Sequence, residues 1–278
     1  MRMLAVPTAL VALVFTVGAA ITPPALEAQT VKSLQTGPVT STATWSGRST
    51  VYAPNGVAAT SQPLATTAAL EILRSGGNAI DAAVAAAAVL NVVEPYMTGM
   101  GGDMFAILWD AEKKELVGLD GSGRSGSKID VEALARQWDE VPTRGAATVT
   151  VPGALAGWNA LVESYGDLTL AEVLAPAIRI AEEGFPVTPI IAQDWAGTVD
   201  TLEANAGAAA TFLIDGKAPA AGTWFRNPDL AQTFRRIAEE GPETFYGGAL
   251  GREIVAGLDA LGGFLTLEDL ARHEVRWV

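Results

Sequence analysis

The chain has 278 residues, 49% of them hydrophobic, with a formal net charge of -13 and no cysteine. An acidic balance without any cluster of Lys and Arg excludes a phosphate-tracking nucleic-acid surface. The missing thiols exclude a disulfide framework and a thiolate metal site, and a single histidine, His273, leaves a zinc centre short of ligands.

The N-terminus has the form of an export signal. Arg2 supplies a positive start, an apolar run follows from Leu4 to Ile21, and Ala20 and Ala28 offer small residues for cleavage. Cleavage after Ala28 is the expectation, which makes residues 1–28 a signal peptide. Pro7 and the Pro23-Pro24 pair oppose the rival reading, a long spanning anchor helix. Residues 29–50 are rich in Ser, Thr and Gly and are expected to be a disordered lead-in. The folded part is expected over residues 51–278.

Val57 to Thr60 is a short strand candidate. Ser61-Gln62-Pro63 then opens a helix, with Ser61 placed to cap it and Gly76-Gly77 ending it. A second helix runs from Asp81 to Val93, so dominated by Ala and Val that it must be buried. The glycine turn Gly99 to Asp103 follows. A dinucleotide site needs strand, glycines, helix; here the order is helix, glycines, strand, so tight turns are the better reading. Phe105 to Trp109 and Leu116 to Leu119 alternate as a hairpin. The hairpin leads into Asp120-Gly121-Ser122-Gly123-Arg124-Ser125-Gly126. A lone Arg in a glycine-rich loop at a strand end either binds a carboxylate, through its planar fork of donors, or is simply solvated. Residues 146–151 have strand composition, broken by Pro152-Gly153. Helices are expected through Trp158 to Val162, from Leu170 to Glu183 with Pro176 kinking or splitting it, from Asn227-Pro228 to Glu240, and from Ala249 to Leu261. Thr266 and Asp269 form a capping box for a last short helix. Glu274 to Val278 has the pattern of a strand just beginning, so the polypeptide is expected to continue. Trp158, Trp195 and Trp224 are expected as packing anchors, and the doublets Glu182-Glu183 and Glu239-Glu240 as solvated helix ends.

Ordered blocks across residues 51–278 resemble the γ-glutamyltransferase family: Ala59 to Pro63 with Leu70 to Leu73, Gly76 to Ala83, Val93-Glu94-Pro95 with Gly99 to Gly102, and Thr148 to Gly153 with Gly157-Trp158. Ala175 to Ile178 with Ala181 to Phe185, and Gly262-Gly263 with Leu267 to Leu270, continue the match in order. The resemblance implies an α/β N-terminal-nucleophile hydrolase with a four-layer α/β/β/α architecture, of which this chain is the large-subunit portion. It implies a precursor that cuts itself, and a small subunit from that precursor whose new N-terminal Thr attacks γ-glutamyl amides, with its own α-amine as base. It implies no metal and no organic cofactor, and a γ-glutamyl small molecule as substrate.

No catalytic residue is expected within this chain: the nucleophilic Thr is expected downstream of Val278. Thr66-Thr67 is followed by Ala68 and lies in a helix, and Thr148 and Thr150 match the large subunit. A Ser-His-Asp triad would have to use His273 without a nucleophile elbow. The family's donor-carboxylate arginine normally stands soon after the hairpin's Leu-Asp. Here Gly121, Ser122 and Gly123 intervene, so Arg124 is the substrate-binding candidate from a shifted loop, in the manner of a divergent γ-glutamyltransferase-like branch. A related acylase for another amide, such as a cephalosporin side chain, and a non-catalytic scaffold are the rival functions.

Overall fold

The computed structural model describes residues 51–278, so the signal peptide and lead-in expected over residues 1–50 lie outside the described residues. Residues 53–60 bend at Pro54-Asn55 and belong to no strand among the described residues, which corrects the strand expected at Val57 to Thr60. α1 (Pro63–Arg74) is capped by Gln62, whose side chain accepts from Leu64 N. Ser61, the expected cap, instead donates its hydroxyl to Glu94 at 2.8 Å. α2 (Ala79–Val93) starts with a capping box in which Asn78 and Asp81 accept each other's backbone N–H. Asp81 is fully buried and also accepts from Asp167 N at 3.0 Å and Leu168 N at 3.4 Å, tying α2 to a distant turn.

β1 (Phe105–Asp110) and β2 (Glu115–Asp120) form the expected antiparallel hairpin, Phe105 opposite Asp120 and Asp110 opposite Glu115. α3 (Val131–Gln137) follows. Residues 146–148 are a turn of 3-10 helix and not a strand. Thr and Val favour strands only where a neighbour offers a ladder; here Pro152 lacks a donor, and Val151 N finds a single partner, Arg124 O. α4 (Ala154–Tyr165) and α5 (Leu170–Glu183) come next, and α5 remains one helix through Pro176. β3 (Phe185–Pro186) precedes three helices: α6 (Pro189–Ala196), α7 (Val199–Glu203) and α8 (Ala206–Phe212). β4 (Trp224–Phe225) pairs with β3. Then come α9 (Pro228–Glu240), capped by Asn227, α10 (Glu243–Tyr246), α11 (Ala249–Ala260), α12 (Leu267–Ala271) with its Thr266/Asp269 capping box, and β5 (Arg276–Trp277).

α2 lies between α1 and α5 and touches α4, and α9 packs on α5. Ten residues of α2 are buried, most of them Ala or Val; short side chains allow close helix approach at little cost in rotamer entropy. β5 adds to β2, Asp120 opposite Arg276, giving a β1-β2-β5 sheet. Ala106, Leu108 and Leu119 face the helical core. The alternate side chains, Phe105, Ile107, Trp109 and Leu116, with Val278 at the sheet's end, are 61% to 79% exposed. Among the described residues the sheet therefore has one packed face and one bare apolar face.

Trp158 and Trp195 are buried anchors as expected, but Trp224 is 58% exposed and is held by its indole N–H, which donates to Glu183 O. Glu182 pairs with Arg235 at the surface. Among the described residues no helix is long and apolar enough to cross a membrane.

Candidate functional site

The loop after β2 is built from its first residue. Asp120 accepts from Ser122 N at 2.9 Å and from the Ser122 hydroxyl at 2.6 Å, and its second oxygen pairs with Arg276. These contacts, the Ser122 hydroxyl foremost, hold the Asp120 carboxyl down at about 2. The Ser122 hydroxyl is thereby committed to a weak base, an arrangement that anchors a loop and does not activate a nucleophile.

Two further turns lock onto this loop. Gly121 N donates to Met104 O, Gly123 N donates to Asp103 Oδ1 at 2.8 Å, and Val151 N donates to Arg124 O at 2.9 Å. Gly153 N and Ala154 N both donate to Gly102 O. The backbones run so close that a Cβ on Gly123 would stand 1.6 Å from Val151 O, and one on Gly153 1.8 Å from Gly121 O. Glycine is the only residue that fits either position without moving the neighbouring chain. The Gly-Ser-Gly spacing before Arg124 is thus a packing requirement. The Gly99 to Asp103 turn is a backbone clamp, in line with the sequence reading and against a nucleotide loop.

Arg124 projects from this clamp. It is exposed, and among the described residues no carboxylate pairs with it. Its main chain is fixed by the Val151 contact, and a planar five-donor fork on a fixed stem suits a carboxylate.

Behind the clamp lies His273, 149 positions away in sequence. Its ring stacks on Tyr246 with centroids 5.7 Å apart and an interplanar angle of 17°. Tyr246 is itself locked: its hydroxyl donates to Pro152 O and accepts from Ala156 N, both at 2.8 Å. Burial raises the Tyr246 hydroxyl well above its usual range. His273 Nε2 is buried with no hydrogen-bond partner and lies 3.1 Å from the point a Gly153 Cβ would occupy. Burial first, and the nearby Arg124 charge second, lower the His273 pKa, against an opposing pull from Asp103. No hydroxyl reaches Nε2, so the triad weighed from sequence is absent here. Thr66 hydrogen-bonds Thr60, Thr67 bonds Pro63 O within α1, and Thr148 bonds Gly145 O; none is poised to attack. The part of the site missed from sequence is the Asp103–Tyr246–His273 backing. Its one signal was that the sole histidine follows a capped helix.

Comparison with known proteins places these observations in a family. The family model described as gamma-glutamyltranspeptidase matches residues 65–278. The oxamate amidohydrolase proenzyme of Klebsiella pneumoniae is 41% identical over 228 residues, covering 80% of this chain and 43% of that protein. The chain thus spans less than half the length of that curated relative. Among solved structures, the cephalosporin acylase of Bacillus halodurans aligns with a TM-score of 0.80 at 46% identity, over 84% of this chain and 45% of that one. The gamma-glutamyltranspeptidase of Helicobacter pylori aligns with a TM-score of 0.78 at 31% identity, over 82% and 67%.

Proposed function

Because the chain belongs to the gamma-glutamyltranspeptidase family, we propose that it supplies the large-subunit portion of an exported, self-processing γ-glutamyltransferase or hydrolase. Its fold is the helix-and-sheet half of an N-terminal-nucleophile hydrolase. The bare face of the β1-β2-β5 sheet is the surface on which a second β layer, from the small subunit, packs in this reading. That subunit brings the nucleophilic Thr. Its hydroxyl oxygen bonds to the amide carbon and the C–N bond breaks. The amine leaves with the proton relayed by the Thr α-amine, and the resulting ester passes its acyl group to water or to an amino acid. This chain alone turns over no substrate.

The chain's own part is donor recognition. The observation that carries it is Arg124: an exposed guanidinium, without an acidic partner among the described residues, on a loop clamped by two neighbouring turns. It binds the α-carboxylate of a γ-glutamyl donor. In the complete, processed protein, Arg124→Ala removes a charge-assisted pair and raises KM for γ-glutamyl-p-nitroanilide roughly ten- to hundred-fold. An unchanged KM overturns the assignment.

A second reading has a specific support. The loop departs from the family's usual spacing at Gly121 to Gly123, and one of the solved neighbours is a cephalosporin acylase. An acylase specificity would show as turnover of a cephalosporin side-chain amide with poor turnover of glutathione.

A further inference from the structure

We propose that the hollow between α6, α7 and the turn after α2 is a second binding site, which takes a small carboxylate carrying a compact apolar or aromatic group. Arg144 and Thr201 seat the carboxylate, and a largely aromatic wall holds the rest. The inference stands apart from the Arg124 reading, because none of the residues around this hollow belongs to the Arg124 clamp.

The hollow forms where five stretches of chain converge. Tyr96 comes from the turn after α2 and Arg144 from the segment before the 3-10 turn. Trp195 comes from the end of α6, Leu202 from α7, and Phe212 is the last residue of α8. The walls are set by contacts within the protein. The buried Trp195 ring stands edge-to-face against Phe212, with centroids 6.2 Å apart, and against Phe225 at 4.8 Å. Tyr96 is tethered through its hydroxyl, which donates to Asp194 Oδ2 at 3.2 Å. At about 230 Å³ the space lies below the range of drug-sized ligands, so it suits a molecule of roughly ten non-hydrogen atoms.

The polar end is built as definitely as the walls. The Arg144 guanidinium donates to the Thr201 hydroxyl, and both residues line the hollow. That bond steadies the guanidinium and leaves most of its five donors free. The hydroxyl is the acceptor in it, so the Thr201 proton is also available to a ligand oxygen. The Thr198 hydroxyl, by contrast, is spent on Trp195 O and only shapes the rim. Among the described residues no acidic side chain pairs with Arg144.

The nearby acids leave the seat open to an anion. No carboxylate lines the hollow. Asp194 accepts the Tyr96 hydroxyl, and Asp200 and Glu203 of α7 are exposed, where solvent and salt screen them. A purely apolar molecule leaves the guanidinium unpaired, and a bare anion leaves the wall in water. A carboxylate with an apolar body meets both, its two oxygens matching the planar fork.

The test is calorimetric titration of the full-length protein with phenylacetate, and with phenethyl alcohol and acetate as its two halves. The expected result is saturable binding of phenylacetate, with the alcohol and acetate each at least about ten-fold weaker. Arg144→Gln weakens phenylacetate about ten-fold or more. Leu202→Trp, which fills the hollow and keeps the charge, abolishes binding, and Arg124→Ala leaves it as in the wild type. Arg144 is exposed and Leu202 half-buried, so the two variants disturb the core differently and either one alone decides the matter. No saturable binding by the wild type overturns the proposal, as does binding that survives Arg144→Gln or Leu202→Trp unchanged. Phenethyl alcohol bound as tightly as phenylacetate overturns the role of the guanidinium. Binding lost in Arg124→Ala but kept in Arg144→Gln puts the ligand on the clamped loop and overturns the second site.

Discussion

Replacing Gly123 by alanine probes the link between backbone packing and ligand recognition. The new Cβ would stand 1.6 Å from Val151 O, where real contacts stay above 3.0 Å, and the atom it meets is backbone and not a yielding side chain. The two segments must part by more than an ångström. One hydrogen bond spans that gap, Val151 N to Arg124 O, and a second, Gly123 N to the Asp103 carboxylate, ties the same loop to a neighbouring turn. Losing or stretching both, with the strain of shifting packed backbone, amounts to about 3 kcal/mol. Arg124 is the next residue and moves with the loop, so KM for a γ-glutamyl donor rises about ten-fold or more. Urea denaturation of the complete protein should show a lower midpoint at unchanged slope, and steady-state kinetics on the folded fraction should show the KM effect. A variant with wild-type stability and wild-type KM would falsify the packing argument and the placement of Arg124 together.

Two further outcomes follow from the same contacts. Asp81→Ala strands the N–H groups of Asn78 and Asp167, which the buried carboxylate satisfies at 2.9 and 3.0 Å; about 3–5 kcal/mol of stability is lost, and a loss under 1 kcal/mol in denaturant titration contradicts that bookkeeping. Asp120, held at about 2, ionises more readily folded than unfolded. Its contribution is therefore complete above the ordinary carboxylate range near 4 and disappears as pH falls toward 2. Ser122→Ala should flatten the decline in unfolding midpoint over that acid window, and an identical decline in both proteins counts against it.

Local chemistry made much of this fold legible. The alanine-rich α2, the hairpin with its polar turn, the Asn227-Pro228 start of α9 and the Thr266/Asp269 box are each specified within a few residues. The misreadings share one cause. Residues 146–151 and 57–60 have strand composition, but strands exist only where a partner offers a ladder. Ser61 looked like a cap until Glu94, 33 residues away, claimed its hydroxyl. Trp224 looked like an anchor, yet a backbone carbonyl holds its indole N–H at the surface. The site divides the same way. Arg124 stands out as one cation among glycines, whereas what holds it comes from Asp103, Val151 and Gly153, and what backs it from Tyr246 and His273. Backbone close approaches leave no periodic trace in a sequence.

The uncovered sheet face also bears on how such a chain survives in water. Phe105, Ile107, Trp109, Leu116 and Val278 form an apolar strip that includes β1, an edge strand within the described sheet. An edge of that kind is a template for lateral pairing between copies. The formal charge of -13 supplies the counterweight, since like-charged chains repel before their strips can meet. That protection reaches only about a Debye length, roughly 8 Å at physiological ionic strength. The colloidal behaviour of this half-sandwich is thus a contest between a short hydrophobic attraction and a screened repulsion, and added salt tilts it toward self-association.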